Sequence, residues 1–217
     1  RVGIDRGTGG TLGPIFGDGS FEYIPIPEAR GLASEGTPTY GGLKARSGGS
    51  LARFVPDRIR GAPVHHDPEF EAFTYGDPTR NKRGQLLKLA PGDLLAFYAA
   101  LQKWDEGEHA GLYLIGYFTV LSVYNLPDGR APRAPHSIEA NAHLRRSTPD
   151  RGLVVVKGER SGSRLLRRAI RIAEPSGEPI ETVERVFGYR KNLRRAIGRW
   201  VPRERASGAR AMLEAAD

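Results

Sequence analysis

The longest apolar stretch of the chain runs from Gly111 to Val123, and Gly116, Thr119 and Ser122 interrupt it. It is too short and too polar for a membrane span, which needs roughly 18 consecutive apolar residues. It is long enough for a buried strand. Gly111 to Asn125 is the best strand candidate in the sequence, as two strands or as one bent at Gly116. A sheet built around it has to be assembled from short pieces, because Gly (28) and Pro (16) make up about a fifth of the 217 residues and punctuate the chain with turns.

Those pieces can be placed. Val2 to Ile4 reads as a short strand. Pro14 to Phe16 and Phe21 to Ile24 read as a hairpin around Gly17-Asp18-Gly19-Ser20. Residues 29–50 form a long surface loop, Leu51 to Ile59 a short helix or strand, and 61–85 a polar, turn-rich connector. Leu94 to Tyr98 is a buried strand after a tight turn, Glu106 to Ala110 a hydrophilic turn, and 127–136 a loop with three Pro. Asn141 to Arg146 reads as a helical turn and Leu153 to Val156 as a strand. A helix is expected over 161–171, with Arg160, Arg164, Arg167, Arg168 and Arg171 on one face and Leu165, Leu166, Ala169 and Ile170 on the other. A second amphipathic segment near 188–199 sets Tyr189, Leu193, Ile197 and Trp200 against Arg190, Lys191, Arg194, Arg195 and Arg199, and Pro202 ends it.

The charge is uneven. Residues 1–129 hold 13 Lys/Arg against 15 Asp/Glu, and residues 130–217 hold 20 against 10, so the whole excess of the +8 chain lies in its last part. Such asymmetry points to an anionic partner for that part. Arg outnumbers Lys 27 to 6; its planar fork suits phosphate and stacks on bases, although a GC-rich genome also favours Arg codons. The five Arg of the expected 161–171 helix have no acid within it, which a polyanion explains better than a solvated surface does. The absence of Cys excludes disulfides, thiolate nucleophiles and Cys-ligated zinc. No secretory signal pattern opens the sequence, and a cytoplasmic location without membrane association is expected.

Three segments carry possible chemistry. In Asp5-Arg6-Gly7-Thr8-Gly9-Gly10-Thr11, glycines let backbone N–H groups approach an anion and Thr adds hydroxyl donors; the pattern is neither a Walker A loop nor a dinucleotide fingerprint, and a plain wide loop fits it equally. His65-His66-Asp67 offers a His–Asp pair for acid–base work, with a solvent-exposed loop as the alternative. Adjacent residues rarely address one ion and no further ligand has diagnostic spacing, so no metal site and no cofactor is assigned. Tyr75, Asp77, Arg80, Asn81, Lys82 and Gln85 add the groups with which unpaired bases are held, or form a turn-rich connector. Ser161, Ser163 and Arg164 open the expected helix, as a phosphate site or as an ordinary N-cap. His143 lies in Asn141-Ala142-His143-Leu144-Arg145-Arg146.

Several motifs together resemble the nucleotide modification associated domain 3 family. They are Val2-Gly3-Ile4-Asp5-Arg6-Gly7-Thr8-Gly9-Gly10, Gly13-Pro14-Ile15-Phe16-Gly17-Asp18-Gly19, Ile24-Pro25-Ile26-Pro27-Glu28, His66-Asp67-Pro68, the run Pro91 to Tyr98, Leu114 to Phe118, Asn141-Ala142-His143, Ser163-Arg164-Leu165-Leu166 and Trp200-Val201-Pro202. The resemblance spans nearly the whole chain; Arg6 departs from it, standing where the family more often has a small or aromatic residue. The strand after Gly92-Asp93 is also similar to PUA-like modules, which bind modified or flipped bases and use that turn structurally, so Asp93 is expected to be architectural. The resemblance implies association with nucleotide modification without supplying a reaction.

The expected fold is one α+β unit over residues 1–217, with a mixed, partly barrel-like, PUA-like sheet and a basic C-terminal helical layer. The leading functional expectation is a nucleic-acid or nucleotide binding protein in a base-modification or defence pathway. Arg6, Gly9, Gly10, Thr11, Tyr75, Gln85, Ser161, Ser163 and Arg164 would converge on the nucleotide, and Arg160, Arg167, Arg168, Arg171, Arg194 and Arg195 would meet phosphates. The alternatives are an enzyme that modifies a nucleotide or base with Asp5, His66 and Asp67 as acid–base groups, and a structural subunit that binds an acidic partner protein.

Overall fold

The protein is described by a computed structural model covering residues 1–105, 109–130 and 137–216. Eight strands and three helices make an α+β fold whose core is largely sheet. The strands are β1 (Gly13–Ile15), β2 (Ile26–Pro27), β3 (Val64–His65), β4 (Thr74–Asp77), β5 (Leu94–Lys103), β6 (Ala110–Leu126), β7 (Leu153–Gly158) and β8 (Arg164–Ala173). The helices are α1 (Arg80–Leu86), α2 (Glu181–Phe187) and α3 (Ala206–Glu214). The chain divides into two compact units, and each is interleaved in sequence.

The first unit comprises Arg1–Ile24, Ala96–Tyr117 and Leu165–Asp217. β1 pairs in parallel with β5, Gly13 opposite Leu101 and Ile15 opposite Lys103. Ile15 also bridges Phe21 across the expected Gly17–Ser20 turn. That turn is closed by the Phe16 N–H to the Ser20 carbonyl at 2.8 Å, and by Asp18 Oδ1 accepting from the Ser20 amide and hydroxyl. Gly19 takes φ +83°, a left-handed conformation that favours glycine. Ile4, Phe21, Leu101, Ile115, Tyr117 and Leu166 are fully buried here. Val2 to Ile4 is not a regular strand, although Val2 N–H reaches the Tyr98 carbonyl and Ile4 N–H the Ile24 carbonyl.

The basic segment 161–171 is not a helix. β8 runs from Arg164 to Ala173 and pairs with β6. Its apolar residues fit either period, and a ladder partner some fifty residues upstream overrides the local helical pattern. In a strand, side chains alternate, so Arg164 and Arg168 fall on one face and Arg167 and Arg171 on the other, rather than sharing one. The stretch 188–200 is likewise irregular, so the basic layer is not helical there. The C-terminal helices are α2, which ends where Gly188 adopts φ +67°, and α3.

The second unit comprises Pro25–Leu95 and Phe118–Arg164. β7 is its spine. It pairs antiparallel with β4, from Thr74 opposite Lys157 to Asp77 opposite Val154, and with the later part of β6, from Val123 opposite Val156 to Leu126 opposite Leu153. β7 lies between two strands, and Leu153, Val154, Val155 and Val156 are all fully buried, as a continuous apolar run covered on both faces requires. β6 is one strand rather than two, and its pairing with β7 shifts register between Val120 and Ser122. Ile138 joins Leu153 and Val155 in a cluster on which Leu144 packs, and this fixes the turn that carries His143. β2 and β3 pair antiparallel, Ile26 opposite His65. Leu51 to Ile59 holds two short 3-10 turns. Asp93 closes the turn before β5, accepting from the Ala90 amide at 2.8 Å, as an architectural residue would.

No closed barrel is formed among the described residues. Among them, no helix is long and apolar enough to cross a membrane. Residues 106–108 of the expected hydrophilic turn and 131–136 of the proline loop lie outside the described residues.

Candidate functional site

The second unit buries a group of ionisable side chains drawn from distant parts of its sequence. β3 delivers His65. Asp67 follows two residues later, its amide turned back to the His65 carbonyl at 3.0 Å. The chain thus leaves β3 in a tight turn, which brings the side chains of His65 and Asp67 to one centre. His143 comes from the turn after Asn141, where Leu144 and Arg145 amides return to the Asn141 carbonyl. The Asn141 side chain, itself fully buried, accepts from the His143 amide at 3.1 Å and donates Nδ2 to Asp67 Oδ1 at 2.9 Å. Gly76 N–H adds bonds of 3.0 and 3.2 Å to the two Asp67 oxygens.

The two imidazoles meet edge to face, ring centroids 4.5 Å apart, with their Nε2 atoms at 3.2 Å. Asp67 Oδ2 lies 3.7 Å from His143 Nε2. Behind them, His65 Nδ1 is 2.9 Å from Glu28 Oε2 and His143 Nδ1 is 2.6 Å from Asp150 Oδ2. An ionised carboxylate only accepts, so each Nδ1 carries the proton and each Nε2 points at the other ring. Arg146 ties the two ends together, donating to Glu28 at 2.6 Å and to Asp150 at 2.7 Å.

Burial opposes ionisation at Glu28, yet the hydrogen bonds from His65 and Arg146 outweigh it and hold the carboxyl at about 2. Burial opposes charge at Asp150 too, and His143 and Arg146 keep that carboxyl below the usual range. At His143 burial disfavours the imidazolium, but Asp150 and Asp67 prevail and lift the ring to about 9. His65, Asp67 and His143 each offer one ligand-type atom, all within 4.8 Å of one another.

β4 is shaped for this centre. A Cβ on Gly76 would come within 2.7 Å of the His143 ring and 2.8 Å of Asn141 Oδ1, so only glycine lets the strand lie against them. A cavity of about 380 Å³ adjoins the network, with Arg130, Glu139, Leu144 and Ser147 in its wall; Arg146 belongs to both.

The residues singled out from sequence are distributed as follows. Asp67 stands in the centre, but its histidine partners are His65 and His143. His66 is half-buried, and burial holds its imidazole below the ordinary value against the pull of Glu69, Glu71 and Asp67. Asp5 lies in the first unit, where its carboxylate binds the Thr8 amide and hydroxyl and Arg1. In the same loop the amides of Thr8, Gly9 and Gly10 turn inward to the Asp5 carbonyl, Arg6 is exposed, and the Thr11 hydroxyl reaches the Leu12 carbonyl. Tyr75 is 8% exposed on β4 with its hydroxyl 3.4 Å from Asp77. Gln85 is half-buried on α1.

Ser161 bonds Glu159, and Ser163 is buried with its oxygen accepting from the Thr119 amide. No helix starts there, so a helix-terminus phosphate site is not formed; Arg164 instead opens β8. Arg160, Arg167, Arg168, Arg171, Arg194 and Arg195 are all exposed. Sequence reasoning missed His65 as the inward residue and missed Glu28, Arg146 and Asp150 altogether. No local signal marks His65, because the turn that brings Asp67 beside it forms only where the Asp67 amide meets the His65 carbonyl.

The family model described as nucleotide modification associated domain 3 matches residues 1–215. Comparison with curated proteins and with solved structures returned no match.

Proposed function

The chain belongs to the nucleotide modification associated domain 3 family, and from that premise we propose that it is itself an enzyme that acts on a nucleotide or nucleobase at the His65–His143–Asp67 centre. The observation that carries this reading is the pair of buried imidazoles whose Nε2 atoms lie 3.2 Å apart, each held from behind by a carboxylate. A buried cluster of this kind stabilises a fold less than well-packed apolar residues of similar volume would, and strongly perturbed ionisable groups gather where chemistry is done. Glu28, Asp150, Arg146 and Asn141 are then positioning residues. The cavity beside Arg146, at about 380 Å³, falls in the range of small-ligand sites. The unit that holds the centre carries 18 Lys/Arg against 12 Asp/Glu, a balance that draws anionic substrates.

The test is mass spectrometry of nucleoside triphosphates and of DNA and RNA oligonucleotides after incubation with the protein. A mass change that His143→Gln lowers by about 100-fold or more supports the reading. A mass change that survives in both His143→Gln and His65→Gln would place the chemistry elsewhere.

A second reading, nucleic-acid binding, rests on a separate observation in the first unit. Trp200 is half exposed in the irregular 188–200 stretch, whose sequence also carries exposed Arg194 and Arg195. An aromatic beside guanidinium groups is a stacking platform for unpaired bases. Binding measured across a salt series checks it. Arg194→Ala with Arg195→Ala should reduce the salt slope by about 1 for each phosphate no longer neutralised, and Trp200→Ala should weaken single-strand binding more than duplex binding. An unchanged slope removes this surface from the interface.

A further inference from the structure

We infer that His65 Nε2, His143 Nε2 and a carboxylate oxygen of Asp67 form a binding site for one divalent first-row transition cation, with a coordination position left open. This rests on reading the same centre as the functional site, and names the cofactor it would take.

The first argument is spacing. Two nitrogen ligands held about 2.05 Å from a tetrahedral zinc ion are about 3.3 Å apart. The two Nε2 atoms are 3.2 Å apart, and Asp67 Oδ2 is 3.7 Å from one of them. All three ligand atoms lie within 4.8 Å of one another, so a modest closure of Asp67 completes the set. The second argument is protonation. Each Nδ1 faces Glu28 or Asp150, which turns both Nε2 atoms toward each other at that short distance. A hydrogen shared by the two nitrogens accounts for that contact in the protein alone, and a metal ion would take its place. The ring–carboxylate pairing behind each nitrogen is also the arrangement that fixes metal-binding histidines in the ligating tautomer.

The third argument is charge. The centre holds three carboxylates, Glu28, Asp67 and Asp150, and one guanidinium, Arg146. Carboxylates outnumber the guanidinium there, a balance that suits a cation. The fourth is the anchoring of Asp67. Gly76 N–H bonds both of its oxygens, Asn141 holds Oδ1 and Oδ2 also faces His143, so the carboxylate is oriented before any ion arrives. Two imidazoles and one carboxylate favour transition ions over magnesium or calcium. Three protein ligands, rather than four, leave room for water or substrate.

The test uses the full chain, stripped with a chelator and titrated with Zn(II) and, separately, Co(II). The expected result is one equivalent of ion bound, a ligand-field spectrum for Co(II), and a rise in the thermal midpoint. Asp67→Asn should weaken binding by about 10-fold or more, and His143→Gln should abolish it, with circular dichroism confirming that both variants fold. No uptake of either ion by the folded wild-type chain overturns the inference, as does uptake unchanged in both variants. One equivalent bound with no nucleotide altered leaves the cation site standing and removes the enzyme reading. Nucleotide altered at full rate by the stripped protein does the reverse.

Discussion

Asp5 and Asp67 were equal candidates in the sequence, and the structure gives them opposite surroundings. Asp5 is satisfied by neighbours no more than four residues away, Arg1 and Thr8, and its loop amides close on its own carbonyl. Asp67 is satisfied by Gly76 and by Asn141, 74 residues on, and it faces His143. A loop that completes its own hydrogen bonds needs nothing further to be stable. A carboxylate held by long-range donors beside two imidazoles has been placed by the fold of the whole unit, and it retains an oxygen directed at groups that react or ligate. The difference separates a residue that shapes a loop from one that shapes a site.

The strongest way to break this contrast is to remove the guanidinium on which the centre depends. Arg146→Met keeps the volume but leaves Glu28 and Asp150 without their shared partner, and all three side chains are largely buried. A loss of about 3 kcal/mol in urea unfolding is expected. A loss under about 1 kcal/mol would mean that the network is solvated and the contrast with Asp5 is only one of position. Gly76→Ala comes next. Its Cβ would strike the His143 ring and Asn141 from a strand that cannot retreat from β7, so about 2 kcal/mol should be lost. The His143 ring resonances should shift with it, which a purely local effect on β4 would not produce.

How much of this was legible depends on the range of the interactions. β5, β6 and β7 are readable because a strand that is buried on both faces needs apolar residues at every position, and Leu153 to Val156 shows that locally. β8 is not. Leu165-Leu166-Arg167-Arg168-Ala169-Ile170-Arg171 satisfies a helical and a strand period alike, and only β6, distant in sequence, decides between them. The site divides in the same way. Asp67 stands among the candidates on the strength of its neighbours with His66 beside it, whereas the turn after β3 brings His65 to the centre instead. Glu28 and Arg146 are 118 residues apart, and nothing in either neighbourhood announces the other. The Asn141-Ala142-His143 motif carried the right residues without any indication of what they meet.

Smaller effects are expected in the first unit, and they sharpen the contrast. Asp5→Ala should cost about 1 kcal/mol at neutral pH through lost hydrogen bonds. Burial opposes the Asp5 charge, but the Thr8 amide and hydroxyl and Arg1 together hold its carboxyl below the ordinary value. A depressed folded-state pKa contributes stability above the unfolded value of about 3.9, and that contribution is lost as pH falls through the folded value. The gap between wild type and Asp5→Ala should therefore narrow as unfolding is repeated at pH values below about 4. A gap that stays constant would assign the loss to packing instead of the carboxylate.

The smallest effect is expected at Gly7. A Cβ there meets only Asp5 Oδ1, at 3.3 Å, the far end of a side chain whose partners lie in the same half-exposed loop. The carboxylate need yield by only a few tenths of an ångström, and alanine restricts the unfolded chain more than glycine does. Gly7→Ala should change stability by less than about 0.5 kcal/mol. Gly76→Ala adds the same methyl group against a ring and an amide that their own partners hold in place. If chemical denaturation gave the two variants equal losses, the loop would be as rigidly determined as the buried centre, and the distinction between Asp5 and Asp67 would have to be abandoned.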